Sequence, residues 1–499
     1  MTKTVAKTKT KIHILTLISC FLLTGKLSPQ AVGAEPTFSS YELRSAHEEL
    51  LFSDFDGDGL DDIIMIDEPN LILFFQDRKN GFPKDPHLVY PLGDQPAVLW
   101  QAKLGKDSGQ KVLVMTSDGV STLAYTDKAT PPQKQQIISR KTLIPEKCEE
   151  SMVVFFTLSA NTPKEFPAIF VPVENRLEIW QYDKQWYRAD SLDNALEAQI
   201  WGPYKRTGYE QQYRLNMNIG DVNGDGLDDL VLCRNNKGEI SFEIYPQTEN
   251  GSFPPKPSQS FKDEWDWRSW VSLTDINKDG IVDFVKNIWL HEPWFLPGTY
   301  SGKVLVRIFF AQKNGSVPDK PTSVFRKNDW ISSMPIVDLD GDGFPDIVLG
   351  YSLMRGREDI RKSLTARRID HYLRMHFFDN GRFPDKPDCQ KDLVIHLGHR
   401  GIHLSWSQRY YLSTRISLDG DFNGDGRRDL LVKDAEDAVS VYFFRSRETG
   451  FSKKADMYFP NVEHVEQFIV DDLNKDGISD LMVRGWKIDS LKVFLSNRK

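Results

Sequence analysis

Residues 221–232 read DVNGDGLDDLVL, a nine-residue acidic loop that runs straight into an apolar stretch, and the pattern occurs six times in the chain. The copies begin at Asp54 (DFDGDGLDD), Asp221 (DVNGDGLDD), Asp275 (DINKDGIVD), Asp338 (DLDGDGFPD), Asp421 (DFNGDGRRD) and Asp472 (DLNKDGISD). Positions 1, 3, 5 and 9 are always Asp or Asn, position 6 is always Gly and position 2 is always apolar. Oxygen donors at alternating positions suit a hard cation, and a flexible cage of several carboxylates suits calcium better than magnesium. Glycine at position 6 lets the chain turn sharply enough to aim those oxygens at one point.

The pattern assigns six metal sets, and therefore up to six Ca2+. They are Asp54, Asp56, Asp58 and Asp62; Asp221, Asn223, Asp225 and Asp229; and Asp275, Asn277, Asp279 and Asp283. The later three are Asp338, Asp340, Asp342 and Asp346; Asp421, Asn423, Asp425 and Asp429; and Asp472, Asn474, Asp476 and Asp480. Position 7 joins each set as Leu60, Leu227, Ile281, Phe344, Arg427 and Ile478. Position 9 opens an apolar run such as Asp62-Ile-Ile-Met-Ile or Asp429-Leu-Leu-Val, which reads as a buried strand. An EF-hand would need flanking helices and a Glu at position 12, and the chain offers neither. The loop is thus a strand-to-strand hairpin with a cation in it.

Loop and downstream strand together resemble the FG-GAP and VCBS repeats of integrin-α-like β-propellers. The resemblance implies an all-β ring of four-stranded blades, with calcium between the first two strands of a blade. It implies no particular activity, since such propellers serve as adhesion modules, lectins and enzyme scaffolds alike.

A second repeated signature supports the blade reading. Asn80-Gly-Phe-Pro, Asn250-Gly-Ser-Phe-Pro, Asn314-Gly-Ser-Val-Pro and Asn380-Gly-Arg-Phe-Pro, with a weaker copy at Thr449-Gly-Phe, each follow an aromatic strand. Asn-Gly is a hairpin signal and proline is tolerated on an edge strand, which places this turn before the outermost strand of each blade. Successive loops are 167, 54, 63, 83 and 51 residues apart. At one blade per 50–60 residues, the first interval holds two further blades without ligand carboxylates, over residues 97–200. The count is then eight blades, with seven the alternative. The chain ends on the third strand of its last repeat, so the missing outer strand is expected from Phe38–Arg44, hiding an exposed edge.

Composition bounds the rest. With 499 residues, 40% hydrophobic and 12% aromatic, a repetitive chain of this kind is expected to form one large domain over residues 35–499. Residues 1–34 have the form of an export signal: lysines at 3, 7, 9 and 11, an apolar stretch Ile12–Leu23, and Val32-Gly-Ala34 as a small-residue cleavage site. A membrane anchor and a lipoprotein box acylated at Cys20 are the alternatives. The mature protein is expected to be secreted, periplasmic or cell-surface, and monomeric. Removing residues 1–34 takes away five lysines and no acid, moving the net charge from −8 to −13. The loops carry 20 ligand carboxylates, so six Ca2+ would bring the protein near neutrality; the acidity argues against nucleic acid as a partner. Cys148, Cys233 and Cys389 show no framework spacing and are expected as core thiols.

Strand order puts the acidic loops on one face, and the long insertions on the other. These are residues 287–303, residues 352–370 with helix-like periodicity, and residues 392–411. With them come candidate ligand-face residues Trp265, Trp267, Trp289, Trp294, Trp330, His399, Arg400, His403 and Trp406. Tryptophan, arginine and carboxylate side by side suit a carbohydrate or protein ligand. No H-E-x-x-H, G-x-S-x-G or phosphate-binding glycine loop occurs, so no catalytic residue is assigned. A non-catalytic binding or adhesion module is the favoured reading. A lyase-like polysaccharide-active enzyme on the same propeller is the alternative.

Overall fold

The structure, a computed structural model, describes residues 36–44, 50–67, 70–92, 97–105, 110–125, 131–144, 146, 159–162, 166–193, 197–204, 208–214, 216–236, 239–263, 270–291, 302–327, 330–333, 335–352, 361, 365–396, 415–463, 465, 467–485 and 490–497. Residues 1–34, expected as an export signal and including Cys20, and Cys148 lie outside them. Eight antiparallel blades account for nearly all the strands, and their contacts divide the chain into two compact units of four blades each. This is the β-propeller class, with the eight blades that the loop spacing calls for rather than seven.

In one unit the first blade runs Leu50–Ser53, Asp62–Asp67, Asn70–Phe74, Leu88–Pro91 in hydrogen-bonded order. The second blade is Val98–Lys103, Gln110–Thr116, Gly119–Ala124, Gln133–Ser139, and the third Ser159–Ala160, Ala168–Val173, Arg176–Asp183, Gln185–Asp193. These two fill the long interval between the first and second acidic loops. The fourth is Asn216–Gly220, Asp229–Asn236, Glu239–Tyr245, Gln259–Asp263. A hairpin that the sequence pattern did not foresee, Glu197–Tyr204 with Gly208–Arg214, stands between the third and fourth blades in the chain.

In the other unit the fifth blade is Trp270–Thr274, Asp283–His291, Gly302–Phe309, Ser323–Lys327. The sixth is Trp330–Ser333, Asp346–Ser352, Arg368–His376, Cys389–His396, with a short Ile336–Val337 segment also pairing the second strand. Pro335 sits in that break, where it need donate nothing to the ladder. The seventh blade is Ile416–Gly420, Asp429–Val432, Ala438–Tyr442, Met457–Pro460, with a small hairpin Phe444–Ser446 and Gly450–Phe451 between its last two strands. The eighth takes Gln467–Asp471, Asp480–Arg484 and Leu491–Asn497 from the end of the chain and Thr37–Leu43 from its start. That last pairing is in register from Thr37↔Asn497 to Leu43↔Leu491, so the N-terminal strand closes the eighth blade as expected.

The second strands read as continuous apolar runs because both of their faces are buried. Side chains alternate across a strand. Val112 and Val114 therefore join a core shared with the first blade, and Leu113 and Met115 one shared with the third. Likewise Ile347, Leu349 and Tyr351 pack with the fifth blade while Val348 packs with the seventh. Leu431 and Leu430 split in the same way between the eighth and sixth. Among the described residues each unit shows three such cores, each lying between consecutive blades. Cys389 is free and buried in one of them, and burial pushes its thiol up to about 12. Of Cys233 only the backbone is described, in the second strand of the fourth blade.

Candidate metal centres

All six acidic loops connect the first and second strands of a blade, and all six share one hydrogen-bond scheme. The position-1 carboxylate curls over the loop, its Oδ2 accepting the position-6 glycine N–H at 2.7–3.1 Å. Those glycines have φ of 82–94°, a left-handed conformation that only glycine adopts without strain. Oδ1 of the position-5 carboxylate accepts the position-7 N–H at 2.8–3.0 Å. Position 4, which the sequence pattern passed over, is also left-handed: glycine in four loops, Lys278 and Lys475 in the others. The Gly-or-Lys alternation there was the available signal.

Position 9 is the keystone. Asp62, Asp229, Asp283, Asp346, Asp429 and Asp480 are all fully buried. Each Oδ2 accepts the position-2 N–H at 2.8–3.1 Å, closing the loop. Each Oδ1 accepts a backbone N–H at 2.6–3.1 Å, from just past the third strand (Gln76, Gln247, Ala311, Phe378, Phe444) or, in the last blade, from Ser496 near that strand's end. One carboxylate thereby ties three strands of its blade together. The apolar position 2 anchors the loop from below: Val222, Ile276, Leu339, Phe422 and Leu473 are fully buried.

Electrostatically these loops are dominated by acids, with Lys278, Lys475, Arg427 and Arg428 the cations within them. Burial raises the position-9 acids to about 7 in five loops and about 8 at Asp429, and neighbouring loop carboxylates push the same way. Backbone N–H donors oppose the rise without cancelling it. Burial likewise raises the position-1 acids Asp275, Asp338, Asp421 and Asp472. In two loops, Asp54 with Asp56 and Asp62, and Asp338 with Asp340 and Asp346, one oxygen from each residue lies within 4.8 Å of the others. Convergent oxygens, raised acids and an absence of softer donors fit a hard divalent cation. Position 7 can add only its main-chain carbonyl.

The loops differ at position 3. In two of the loops with Asn its amide meets the position-5 acid: Asn277 Nδ2 donates to Asp279 Oδ2 at 3.1 Å and Asn423 Nδ2 to Asp425 Oδ2 at 3.3 Å, whereas Asn474 Nδ2 donates to Ser496 O at 2.8 Å. At the Asp338 loop position 3 is an acid. There Arg447, from the small hairpin of the seventh blade, bonds Asp340 Oδ2 through Nε and Asp342 Oδ2 through Nη2.

A family model described as FG-GAP-like repeat matches residues 221–285 and 421–483, each span running from one acidic loop through the next copy of the loop. Over those two spans the chain carries FG-GAP-like repeats. Its acidic loops occupy the first-to-second-strand connections of six blades, and the Asn-Gly turns precede the outer strands, with Gly81, Gly251, Gly315, Gly381 and Gly450 all at positive φ. No curated protein matches the chain. Among solved structures, one concerned with recognition of non-reducing terminal N-acetylglucosamine by an Agrocybe aegerita lectin is similar over 74% of this chain and 83% of its own, at 14% identity and a TM-score of 0.40.

Of the sequence-predicted ligand face, Trp265, Trp267, Trp294, His399, Arg400, His403 and Trp406 lie outside the described residues. Trp289 and Trp330 are placed by their backbones, opposite Val304 and Ser352 in the fifth and sixth blades. Residues 352–370 show helical backbone at Arg361 and at 365–366. At the blade ends opposite the loops, an unforeseen cluster joins the second blade to the third. Fully buried Glu178 accepts from Arg140 at 2.9 and 3.0 Å, Arg176 at 2.9 and 3.2 Å, Arg188 at 3.3 Å and the Trp180 indole at 3.2 Å.

Proposed function

We propose that this chain is an exported, calcium-binding propeller that acts as a non-catalytic binding module. Its ligand, carbohydrate or protein, would meet the blade ends opposite the acidic loops. The observation that carries the calcium half is the buried aspartate at position 9, repeated six times and raised in every copy. Groups raised to about 7 are only partly ionised at neutral pH, a cation would favour their charged form, and the convergent oxygens around them are the ligands it would find. Extracellular calcium at millimolar levels loads sites of ~10⁻⁴–10⁻³ M affinity, which is consistent with the export signal. Each loaded site then stabilises its blade by linkage, on the order of 1 kcal/mol.

The binding half rests on topology. The long connections between His291 and Gly302, between Ser352 and Arg368 and between His396 and Ile416 join strands at the blade ends away from the loops, where variable segments leave the metal sites undisturbed. Chelator treatment of the purified protein tests the calcium reading: the melting temperature should drop and be restored by Ca2+, and indifference to calcium would sink it. Glycan-array and pull-down binding, run beside an assay for unsaturated sugar products, tests the rest. Turnover would replace the binding module with an enzyme.

A further inference from the structure

We propose that Arg447 is a tethered rival of calcium at the Asp338 loop, so that this site is the weakest of the six and binding there releases a link between the sixth and seventh blades. The inference rests on the calcium reading above and concerns one loop only. It begins with the acids: this loop has carboxylates at positions 1, 3, 5 and 9, one more than loops with Asn at position 3. Asp340 and Asp342 each turn Oδ1 to the backbone, accepting Asp342 N at 3.2 Å and Phe344 N at 2.8 Å. Their remaining oxygens, both Oδ2, are held by Nε and Nη2 of Arg447. A planar guanidinium fork spanning two carboxylates takes the oxygens that a metal at this loop would need.

The arginine is positioned rather than stray. It sits at the tip of the hairpin Phe444–Ser446 and Gly450–Phe451, whose turn is fastened by Thr449 N donating to Ser446 Oγ at 3.2 Å. Its guanidinium carbon lies 5.2 Å from the centre of the Phe377 ring, a cation–π contact on the sixth blade. The two blades touch beside it: Arg428 N donates to Leu339 O at 3.1 Å, and a Cβ on Gly341 would stand 2.7 Å from Gly426 O. With Asp340 only 10% exposed, the pair is shielded enough for competition to matter.

Calcium titration of chelator-stripped, full-length protein by calorimetry tests the idea, with Arg447→Met keeping an apolar stem over Phe377 and circular dichroism confirming the fold. Wild type should show one site weaker than the rest, and Arg447→Met should tighten that site by roughly tenfold, as expected for loss of a partly exposed charge-assisted fork. Arg445→Met, which removes an arginine that contacts Asp456 instead of an acidic loop, should leave the isotherm unchanged. In chelator, Arg447→Met should melt below wild type, and saturating Ca2+ should close the gap. An unchanged isotherm, a lost site, or a melting deficit equal with and without Ca2+ would each overturn the proposal while leaving the calcium reading intact. A wild type that takes up no calcium would overturn both.

Discussion

Asp429 in the seventh blade and Glu178 in the third are carboxylates with no exposed surface, yet their acidities move in opposite directions. Around Asp429 stand backbone N–H groups and further acids, Asp421 and Asp425, and burial drives it up to about 8. Burial also pushes Glu178 upward, but the guanidiniums of Arg140, Arg176 and Arg188 outweigh it and hold the group below the usual carboxylate range. A buried acid is costly or harmless according to whether its counter-charge belongs to the protein or must come from solution. Asp429 has acids for neighbours; the third blade, which has no acidic loop, supplies the counter-charge to its buried acid itself. The Asp338 loop, with Arg447 in place, stands between the two.

The hardest way to break this comparison is to delete the keystone. Asp429→Ala leaves the buried N–H groups of Phe422 and Phe444 without an acceptor and should cost about 3 kcal/mol in urea unfolding even in chelator. A larger loss is expected with Ca2+, where a ligand goes too. Glu178→Gln leaves three arginines facing one another. Since these are 34–49% exposed, the cost discounted for solvent screening should be roughly 2 kcal/mol, and it should be the same with and without calcium. Calcium dependence of the Glu178→Gln loss would erase the distinction drawn here.

Acid separates the two kinds of carboxylate by sign. For the position-9 aspartates the folded state holds protons that the unfolded chain has released between 3.8 and about 7. Metal-free stability from these groups is therefore greatest at low pH and falls as pH rises through that window. For Glu178 the unfolded chain binds the proton first, so its contribution is present above 4.5 and fades as pH falls through the depressed folded value. In chelator, the melting temperature should accordingly rise as pH is lowered from about 7.5 to 5, because the buried aspartates reprotonate, and saturating calcium should abolish that rise. A flat profile in chelator would mean that the loop acids are neutralised some other way. The smallest expected effect is backbone strain: Gly426→Ala, at φ +84° with open space around the new methyl, should cost about 1 kcal/mol by thermal melting. Gly341→Ala should cost more, since its Cβ meets Gly426 O.

Local pattern was legible wherever one short segment carries the whole constraint. The nine-residue loop, its downstream strand and the Asn-Gly turn each need only neighbours in sequence, and counting them located even the two loop-less blades. What escaped depends on residues far apart. Arg447 reaches Asp340 across 107 positions, and an arginine in a turn carries no mark of its destination. The cluster on Glu178 gathers Arg140 from one blade and Arg176 and Arg188 from the next, which no periodicity records. The hairpin of Glu197–Tyr204 and Gly208–Arg214 is polar and unpaired with any blade, so it lacks the apolar rhythm by which the other strands were read.

The borrowed outer strand of the eighth blade has a consequence for biogenesis. Thr37–Leu43 emerges from the ribosome long before its partner Leu491–Asn497. Seven blades can in principle form as they are synthesised, but the eighth must wait for Leu491–Asn497, leaving an unpaired strand edge open to stray pairing until then. Arrival of that partner strand, rather than growth of the earlier blades, is the step that completes the eighth.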